Sequence, residues 1–169
     1  MYVYDVILFS ICGDDVELCK ICSFAGHSEL YGQEMDIYKK LLLVIEKLIL
    51  TEDINEFWVG NYGAFDRLSA KAVRNLKEKY SYIQLNLVVP YLTKEINEYR
   101  EEYYKNFDNI LMADIPEKTP KRFKIIKSNE YMVQNSNVLV CCVRHSFGGA
   151  ARTVEYAKKR KNIKIINLE

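Results

Sequence analysis

The chain has 169 residues, about the length of one ordinary domain, and we expect residues 1–169 to fold as a single unit. Its 24 basic and 23 acidic side chains leave a formal charge of +1, which argues against a nucleic-acid partner and against a membrane-surface partner. No apolar run is long enough to cross a bilayer, and five cysteines, an odd number, favour a reducing compartment, so the expected location is cytoplasmic.

The amino-terminal segment, residues 1–18, predicts an added strand or hairpin. Its apolar residues 3–11 are followed by Gly13 to Asp15 and then by a second apolar run. The segment lacks the basic start and the small-residue cleavage site of a signal peptide. Cys19 and Cys22, just beyond it, have CxxC spacing, but a zinc site requires a second such pair. We therefore predict neither a metal site nor a bound cofactor.

After this segment, strand-like and helix-like hydrophobic periods alternate along the chain. The predicted strands cover residues 19–24, 56–59, 84–89, 109–113, 137–143 and 163–166. The predicted helices cover residues 34–50, 64–79, 121–135 and 149–160, and the tyrosine- and glutamate-rich segment 93–105 predicts an exposed helix or a flap. This alternation is typical of a Rossmann-like α/β fold, a three-layer sandwich in which helices flank a mostly parallel sheet.

The loop after the first predicted strand of this sheet contains Gly26 and His27. Open parallel sheets bind ligands just beyond the carboxyl ends of their strands, which is where this loop lies. A glycine there permits close backbone approach, and a histidine offers a polar contact or a proton. A plain turn with an exposed histidine accounts for the same two residues.

The loop after the second strand, with Gly60, Asn61 and Gly63, runs directly into a helix. Amides of the first helical turn can hold a phosphate, and Asp66 can bond a ribose hydroxyl. In the alternative interpretation the loop is a glycine turn and Asp66 stabilises the start of the helix. The spacing differs from the GxGxxG dinucleotide fingerprint, so the loop alone does not decide between the two.

The loop after the fifth strand is the strongest phosphate-site candidate. His145 and Ser146 precede Gly148 and Gly149, and two alanines follow the glycine pair. Small residues leave bare amides at the positive end of the helix, where an anion binds favourably. The alternative is a tight turn that lets the helix pack closely on the sheet.

Taken together, five short motifs resemble the SLOG superfamily of Rossmann-like nucleotide-binding proteins, which includes DprA-like proteins and the "lonely guy" phosphoribohydrolases. The motifs resemble in particular those of a small bacterial and phage branch of that superfamily, and the similarity covers about residues 21–168. The motifs are Phe24-Ala25-Gly26-His27, Val59-Gly60-Asn61-Tyr62-Gly63-Ala64-Phe65-Asp66, Pro120-Lys121-Arg122-Phe123, Asn129-Glu130-Tyr131-Met132 and His145-Ser146-Phe147-Gly148-Gly149-Ala150. Several blocks in one order are far more specific than any single block.

The resemblance implies roles for residues at matching positions. It assigns the ligand's phosphate to Gly148 and Gly149, and it assigns work at the ribose and its glycosidic bond to Glu155. His27 or His145 would then be the acid that protonates the departing base. Ala151 and Arg152 stand where the phosphoribohydrolases have Gly and Thr, so the phosphate-binding role carries over better than the catalytic one.

Further candidate residues lie on the helix predicted at 121–135. Arg122 and Asn129 are seven positions apart and thus share one helical face, from which they can line the pocket or cap a neighbouring strand. A homodimer or larger homo-oligomer is expected by analogy with related proteins.

Three functions compete at this point. The first is binding of a small nucleotide or nucleotide-derived ligand, ADP-ribose-like or a nucleoside monophosphate, by a sensor or scavenger. The second is a nucleotide N-glycosidase or phosphoribohydrolase that uses Glu155. The third is a protein-interaction subunit with segment 93–105 as its surface.

Overall fold

The computed structural model describes residues 19–169, and the predicted amino-terminal hairpin, residues 1–18, lies outside them. Strands and helices alternate along the described part of the chain. The strands are β1 (Ile21–Gly26), β2 (Glu56–Val59), β3 (Gln84–Val89), β4 (Asn109–Met112), β5 (Val138–Cys142) and β6 (Lys164–Asn167). The helices are α1 (Glu34–Glu52), α2 (Ala64–Lys77), α3 (Lys94–Glu98), α4 (Arg100–Asn106), α5 (Lys121–Gln134) and α6 (Gly149–Lys158).

The six strands form one parallel sheet in the order β4-β3-β2-β1-β5-β6. From β1 the chain builds the sheet outward through β2, β3 and β4, and it then returns to place β5 on the other side of β1. In register, Cys22 of β1 lies beside Phe57 of β2 and Val138 of β5. The strand order therefore reverses between β1 and β5, and a ligand crevice forms at such a switch point in open α/β sheets.

The residues of β5 alternate between two apolar layers, because successive side chains of a strand point to opposite faces of the sheet. Val138, Val140 and Cys142 join the core formed with α1 and α2, whereas Leu139 and Cys141 join the core formed with α5 and α6. All five side chains are buried. A strand buried on both faces is typical of a parallel sheet covered by helices on both sides, so the sheet is the middle of three layers.

Helix α1 forms because its apolar residues recur at three- and four-residue spacing and so share one face. Its buried residues are Ile37, Leu41, Ile45, Leu48 and Ile49. Burying each such side chain contributes about 1.5–3 kcal/mol to folding. Helix α6 presents the small residues Ala151 and Ala157 to the sheet instead, which lets this helix lie close to β5.

The predicted Rossmann-like α/β fold is confirmed, with small differences in the bounds of its elements. The segment 93–105 forms two short helices, because the backbone leaves the helical conformation at Tyr99. Strand β1 extends to Gly26, which the sequence places in the following loop. Among residues 19–169, no helix combines the length and the apolar character needed to cross a bilayer. The assignment of the whole chain to one domain stays a prediction.

Candidate functional site

A cavity of about 440 Å³ opens at the carboxyl ends of β1 and β5. Its volume lies within the range of about 300–1,000 Å³ that is usual for small-molecule sites. The start of α2, the middle of α5 and the start of α6 complete its walls. The sequence-predicted residues that line it are Gly26, His27, Gly63, Asp66, Asn129, His145, Gly148 and Gly149.

The start of α6 faces this cavity with open backbone amides. Gly148, the residue that caps the helix, has a φ of +93°, a conformation that side chains rarely adopt. No side chain caps the helix, and among the described residues the amides of Gly149 and Ala150 find no acceptor. A Cβ added at Gly148 or Gly149 would meet no atom within 4 Å. Bare amides at the positive end of a helix provide a site for an anion.

Both histidines of the chain lie side by side in the cavity. The Nε2 atom of His27 accepts a hydrogen bond from the backbone N–H of Arg144 at 3.1 Å. A neutral His27 therefore carries its proton on Nδ1. The ring of His145 lies 5.6 Å from that of His27 and stacks on Phe147 at 5.2 Å, measured between centroids. The two histidines thus join the loop after β1 to the loop after β5.

Two exposed aromatic side chains, Tyr31 and Phe147, stand at the rim of the cavity, with 81% and 72% of their surfaces accessible. Tyr31 has a φ of +49° and Gly32 a φ of +79°, so this turn holds a non-glycine residue in the left-handed region. Sequence reasoning missed both aromatics. The available signal was an aromatic residue directly before a glycine, Tyr31-Gly32 and Phe147-Gly148, in loops that leave the sheet.

The charged side chains of the cavity wall are Arg144 and the carboxylates of Glu29, Asp66 and Glu169. The Nε atom of Arg144 forms an ion pair with Glu169 at 2.6 Å, and the Cys142 thiol donates to the same carboxylate at 3.1 Å. Burial and the neighbouring Glu169 raise the pKa of Cys142 to about 12, so this thiol stays protonated. Burial would raise the pKa of Glu169, but the hydrogen bonds from Cys142 and Arg144 outweigh it and lower that pKa.

The start of α2, by contrast, has protein oxygens as acceptors for the amide of its first residue and for an amide just before the helix. The Asp66 carboxylate accepts from the backbone N–H of Tyr62 at 3.0 Å, and the N–H of Ala64 donates to the carbonyl of Ser28 at 2.9 Å. Burial raises the pKa of Asp66, although the amides of Tyr62 and Gly63 oppose the increase. This geometry matches the interpretation in which Asp66 stabilises the helix start, and it gives the amides of Tyr62 and Ala64 acceptors within the protein.

The glycines of the first two loops are required for packing. A Cβ at Gly26 would lie 2.6 Å from Cβ of Phe65 and would overlap its ring, and a Cβ at Gly63 would lie 3.0 Å from Cα of Ser28. Close approach of protein to protein thus explains both glycines. Gly60 and Asn61 do not line this cavity. They line a second groove of about 510 Å³ beside α2.

Helix α6 also carries Glu155, which does not line the cavity. The side chain of Glu155 is 61% exposed, and its carboxylate accepts from the Lys158 ammonium at 2.7 Å, which lowers the Glu155 pKa. Glu155 lies outside the helix face that Ala151, Thr153 and Ala157 bury, and this is why the matching spacing does not bring it to the cavity wall.

Two further predicted residues lie outside the cavity as well. The guanidinium of Arg122 lies over the ring of Phe123 at 4.7 Å, and Ser146 is exposed in its loop. Only Asn129 of the α5 pair contributes to the wall, together with Ile125.

The sheet order and a crevice at its switch point define the class of a Rossmann-like α/β ligand-binding fold. The model of the YspA SLOG family (YpsA) matches residues 30–168, and the chain belongs to this family. The predicted SLOG membership is confirmed.

Two relatives extend the comparison by sequence. The chain is 27% identical over 135 residues to the SPbeta prophage-derived protein YoqJ of Bacillus subtilis (strain 168), a match that covers 71% of this chain and 79% of that protein. It is 28% identical over 120 residues to the UPF0398 protein BH1768 of Halalkalibacterium halodurans, covering 67% of this chain and 63% of that protein.

Two solved structures share the fold. DNA processing protein A (DprA) of Streptococcus pneumoniae superposes with a TM-score of 0.62 at 15% identity, covering 88% of this chain and 50% of that chain. DprA of Helicobacter pylori superposes with a TM-score of 0.59 at 10% identity, covering 86% and 64%. The chain therefore spans half of one DprA and under two thirds of the other.

The expectation that nucleic acid is excluded as a partner is wrong. The Helicobacter pylori DprA, which shares this fold, is described as having a unique single-stranded DNA binding mode. The expectation was based on a net charge near zero. A total charge says little about the local arrangement of cations and aromatic rings that holds a strand.

Proposed function

We propose that the cavity at the switch point binds the phosphate and base of a nucleotide or nucleotide-derived ligand and holds it without cleaving it. The observation that carries the proposal is the start of α6, where the amides of Gly149 and Ala150 face the cavity without an acceptor among the described residues. A phosphate would complete these hydrogen bonds and interact favourably with the helix dipole.

The aromatic rim supports a base as the second part of the ligand. Tyr31 on one side and Phe147 on the other present ring faces that are mostly exposed, and His145 stacks on Phe147. Stacking of a base on an aromatic ring contributes about 1–3 kcal/mol and tolerates any of the bases. His27 and Asn129 add polar side chains to the cavity wall.

The ligand class is therefore a nucleoside monophosphate or an ADP-ribose-like molecule, and the protein would act as its sensor or scavenger. A nucleotide unit within a single DNA strand offers the same phosphate and base, and the fold shared with the Helicobacter pylori DprA makes such a strand the second source to test. Binding without cleavage fits the position of Glu155, which is exposed and paired with Lys158.

The direct experiment is a melting-temperature measurement followed by titration calorimetry. The probes are the four deoxynucleoside monophosphates, AMP, ADP-ribose, cyclic AMP and a ten-residue single DNA strand. We expect at least one probe to raise the melting temperature and to be recovered unchanged after long incubation. Stabilisation by none of the probes would overturn the proposal, and release of free base would replace binding by N-glycosidase activity.

Substitution of Gly149 tests the location of the phosphate. Its Cβ would enter open space and its φ is not positive, so Gly149→Asp should fold normally. A carboxylate in the first helical turn is itself favourable by about 0.3–1 kcal/mol. It would occupy and repel the phosphate position, so we expect nucleotide affinity to fall by about a hundredfold. The isosteric control Gly149→Asn carries no charge and should lose much less affinity.

A cytoplasmic location and self-association belong to the same proposal. The cysteines among residues 19–169 are all free thiols, which fits a reducing compartment. Sedimentation velocity with and without the best nucleotide probe would measure the expected homo-oligomer. A monomer at all concentrations would reject that part and leave nucleotide binding to be judged by calorimetry.

A further inference from the structure

A groove of about 510 Å³ lies between α2 and the paired helices α3 and α4, on the α2 side of the switch-point cavity. Helix α4 buries none of its residues, so it stands away from α2 and leaves this space open. Asp66 lines both the groove and the cavity, which makes them neighbours along the carboxyl edge of the sheet.

The α2 wall of the groove is basic. Arg67 and Arg74 are seven positions apart and therefore lie on one face of α2, with the small residue Ala70 between them. Within residues 19–169, neither guanidinium forms an ion pair. Arg74 lies over the ring of Phe107 at 5.9 Å, and burial lowers its pKa. Guanidinium groups without an ion-pair partner match the bidentate hydrogen bonding of a phosphate.

The facing wall combines aromatic rings with carboxylates. Tyr103 stacks on Phe107 at 6.4 Å between centroids, and Tyr99 is half-exposed beside them. Glu95 and Glu102 line the same wall. Carboxylates accept hydrogen bonds from ribose hydroxyls and exocyclic amines, and they keep a phosphate on the arginine side. The groove thus offers a separate partner for the phosphate, the sugar and the base of one nucleotide.

We propose that this groove is a second nucleotide subsite, so that the ligand carries two linked nucleotide units, one in each site. The inference rests on the proposed function of the cavity. It also accounts for Gly60 and Asn61, which the sequence associates with the ligand but which the structure places in the groove. The Asn61 amide donates to the Tyr103 hydroxyl at 3.4 Å and so links the loop after β2 to the aromatic wall.

Calorimetry with ligands of increasing length tests the second subsite. The probes are dAMP, dCMP, dGMP and dTMP, the corresponding 5′-phosphorylated homodinucleotides and ten-residue strands. We expect the dinucleotide to bind at least about tenfold tighter than its own mononucleotide, because a second base stacks in the groove. A ten-residue strand that binds more than about tenfold tighter than the dinucleotide exceeds the statistical gain from its overlapping dinucleotide registers and would identify a single strand as the source of the ligand. A smaller gain would identify a free dinucleotide.

Arg67→Gln is the decisive variant, because Arg67 is exposed and its loss should leave the fold intact. It should abolish the gain from the second nucleotide while mononucleotide affinity stays unchanged. Tyr99→Ala should reduce the same gain. The control Lys71→Gln makes the same change of charge on α2, but the Lys71 ammonium lies over the Tyr38 ring at 5.3 Å and does not line the groove.

The two proposals fail in different ways. If mononucleotides bind, lose affinity in Gly149→Asp, and dinucleotides bind no tighter, the second subsite is rejected and the function of the cavity stands. The same rejection follows if the gain survives both Arg67→Gln and Tyr99→Ala. If neither mononucleotides nor dinucleotides bind, the function of the cavity is rejected together with the subsite that rests on it.

Discussion

The loops after β2 and β5 carry the same sequence signature, glycine residues that lead directly into a helix, and they use it in opposite ways. After β2, the carboxylate of Asp66 and the carbonyl of Ser28 accept from backbone amides at the start of α2. After β5, the first amides of α6 have no such acceptor among the described residues. The same signature can therefore accompany a helix start whose first amide has a protein acceptor or one whose first amides have none, and glycines alone do not distinguish the two.

One position accounts for much of the difference. The third residue after the capping glycine is Asp66 in α2 and Ala151 in α6. An acidic side chain at this position reaches back to the amides of the preceding turn, whereas alanine leaves them to another acceptor. A glycine that is required for close packing also lies beside the start of α2, where Gly26 contacts the ring of Phe65.

The largest expected effect is a difference in the free energy of unfolding between a substitution at Gly26, which packs against Phe65, and one at Gly149, which borders open space. Gly26→Ala should lower the free energy of unfolding by about 3 kcal/mol, because the new methyl group overlaps the ring of Phe65. Gly149→Ala should change it by less than about 0.5 kcal/mol, since its Cβ meets no atom. Urea denaturation of both variants measures the difference. Equal losses in the two variants would contradict the distinction.

The next largest effect is expected when the Asp66 carboxylate, which accepts from the amide of Tyr62, is removed. Asp66→Ala should destabilise the protein by about 1–2 kcal/mol, because the amide of Tyr62 loses its partner and the helix loses a favourable charge. Asp66→Asn keeps an oxygen in the same place and should retain most of that stability. If Asp66→Ala melts like the wild type, the start of α2 is not closed by this carboxylate.

A smaller effect is expected at the two glycines with positive φ. Gly148→Ala and Gly32→Ala should each cost about 1 kcal/mol, because both place a side chain in the left-handed region while neither Cβ meets an atom. Gly148→Ala should weaken nucleotide binding more than Gly32→Ala, since Gly148 lies next to the amides of α6, whereas Gly32 affects the ligand only through the stacking of Tyr31. Equal nucleotide affinity in the two variants would show that the geometry of Gly148 is irrelevant to the ligand.

Periodicity was sufficient to predict the sheet and the long helices, because burial on one or both faces leaves a direct trace in the sequence. It predicted which loops converge at the switch point, and His27 and His145 indeed lie in contact. Periodicity could not distinguish a helix start whose first amide has a protein acceptor from one whose first amide has none. That difference depends on the carbonyl of Ser28, which belongs to another loop. Glu155 lies outside the cavity for a related reason, because matching spacing does not fix which helix face reaches the cavity.

The smallest expected effect is the pH dependence that the Asp66 carboxylate adds to the free energy of unfolding. Burial raises the pKa of Asp66 above its ordinary value of 3.8, so the folded state keeps this proton to a higher pH than the unfolded chain does. In the window between those two pKa values the folded state binds more protons, so stability falls as pH rises through it and then levels off. Asp66→Asn does not titrate, and the other carboxylates are common to both proteins. Urea denaturation from pH 4 to pH 7 should therefore show the wild type losing stability relative to Asp66→Asn as the pH increases. A difference that is flat, or that favours the wild type with rising pH, would mean that the amides of Tyr62 and Gly63 outweigh burial at this carboxylate.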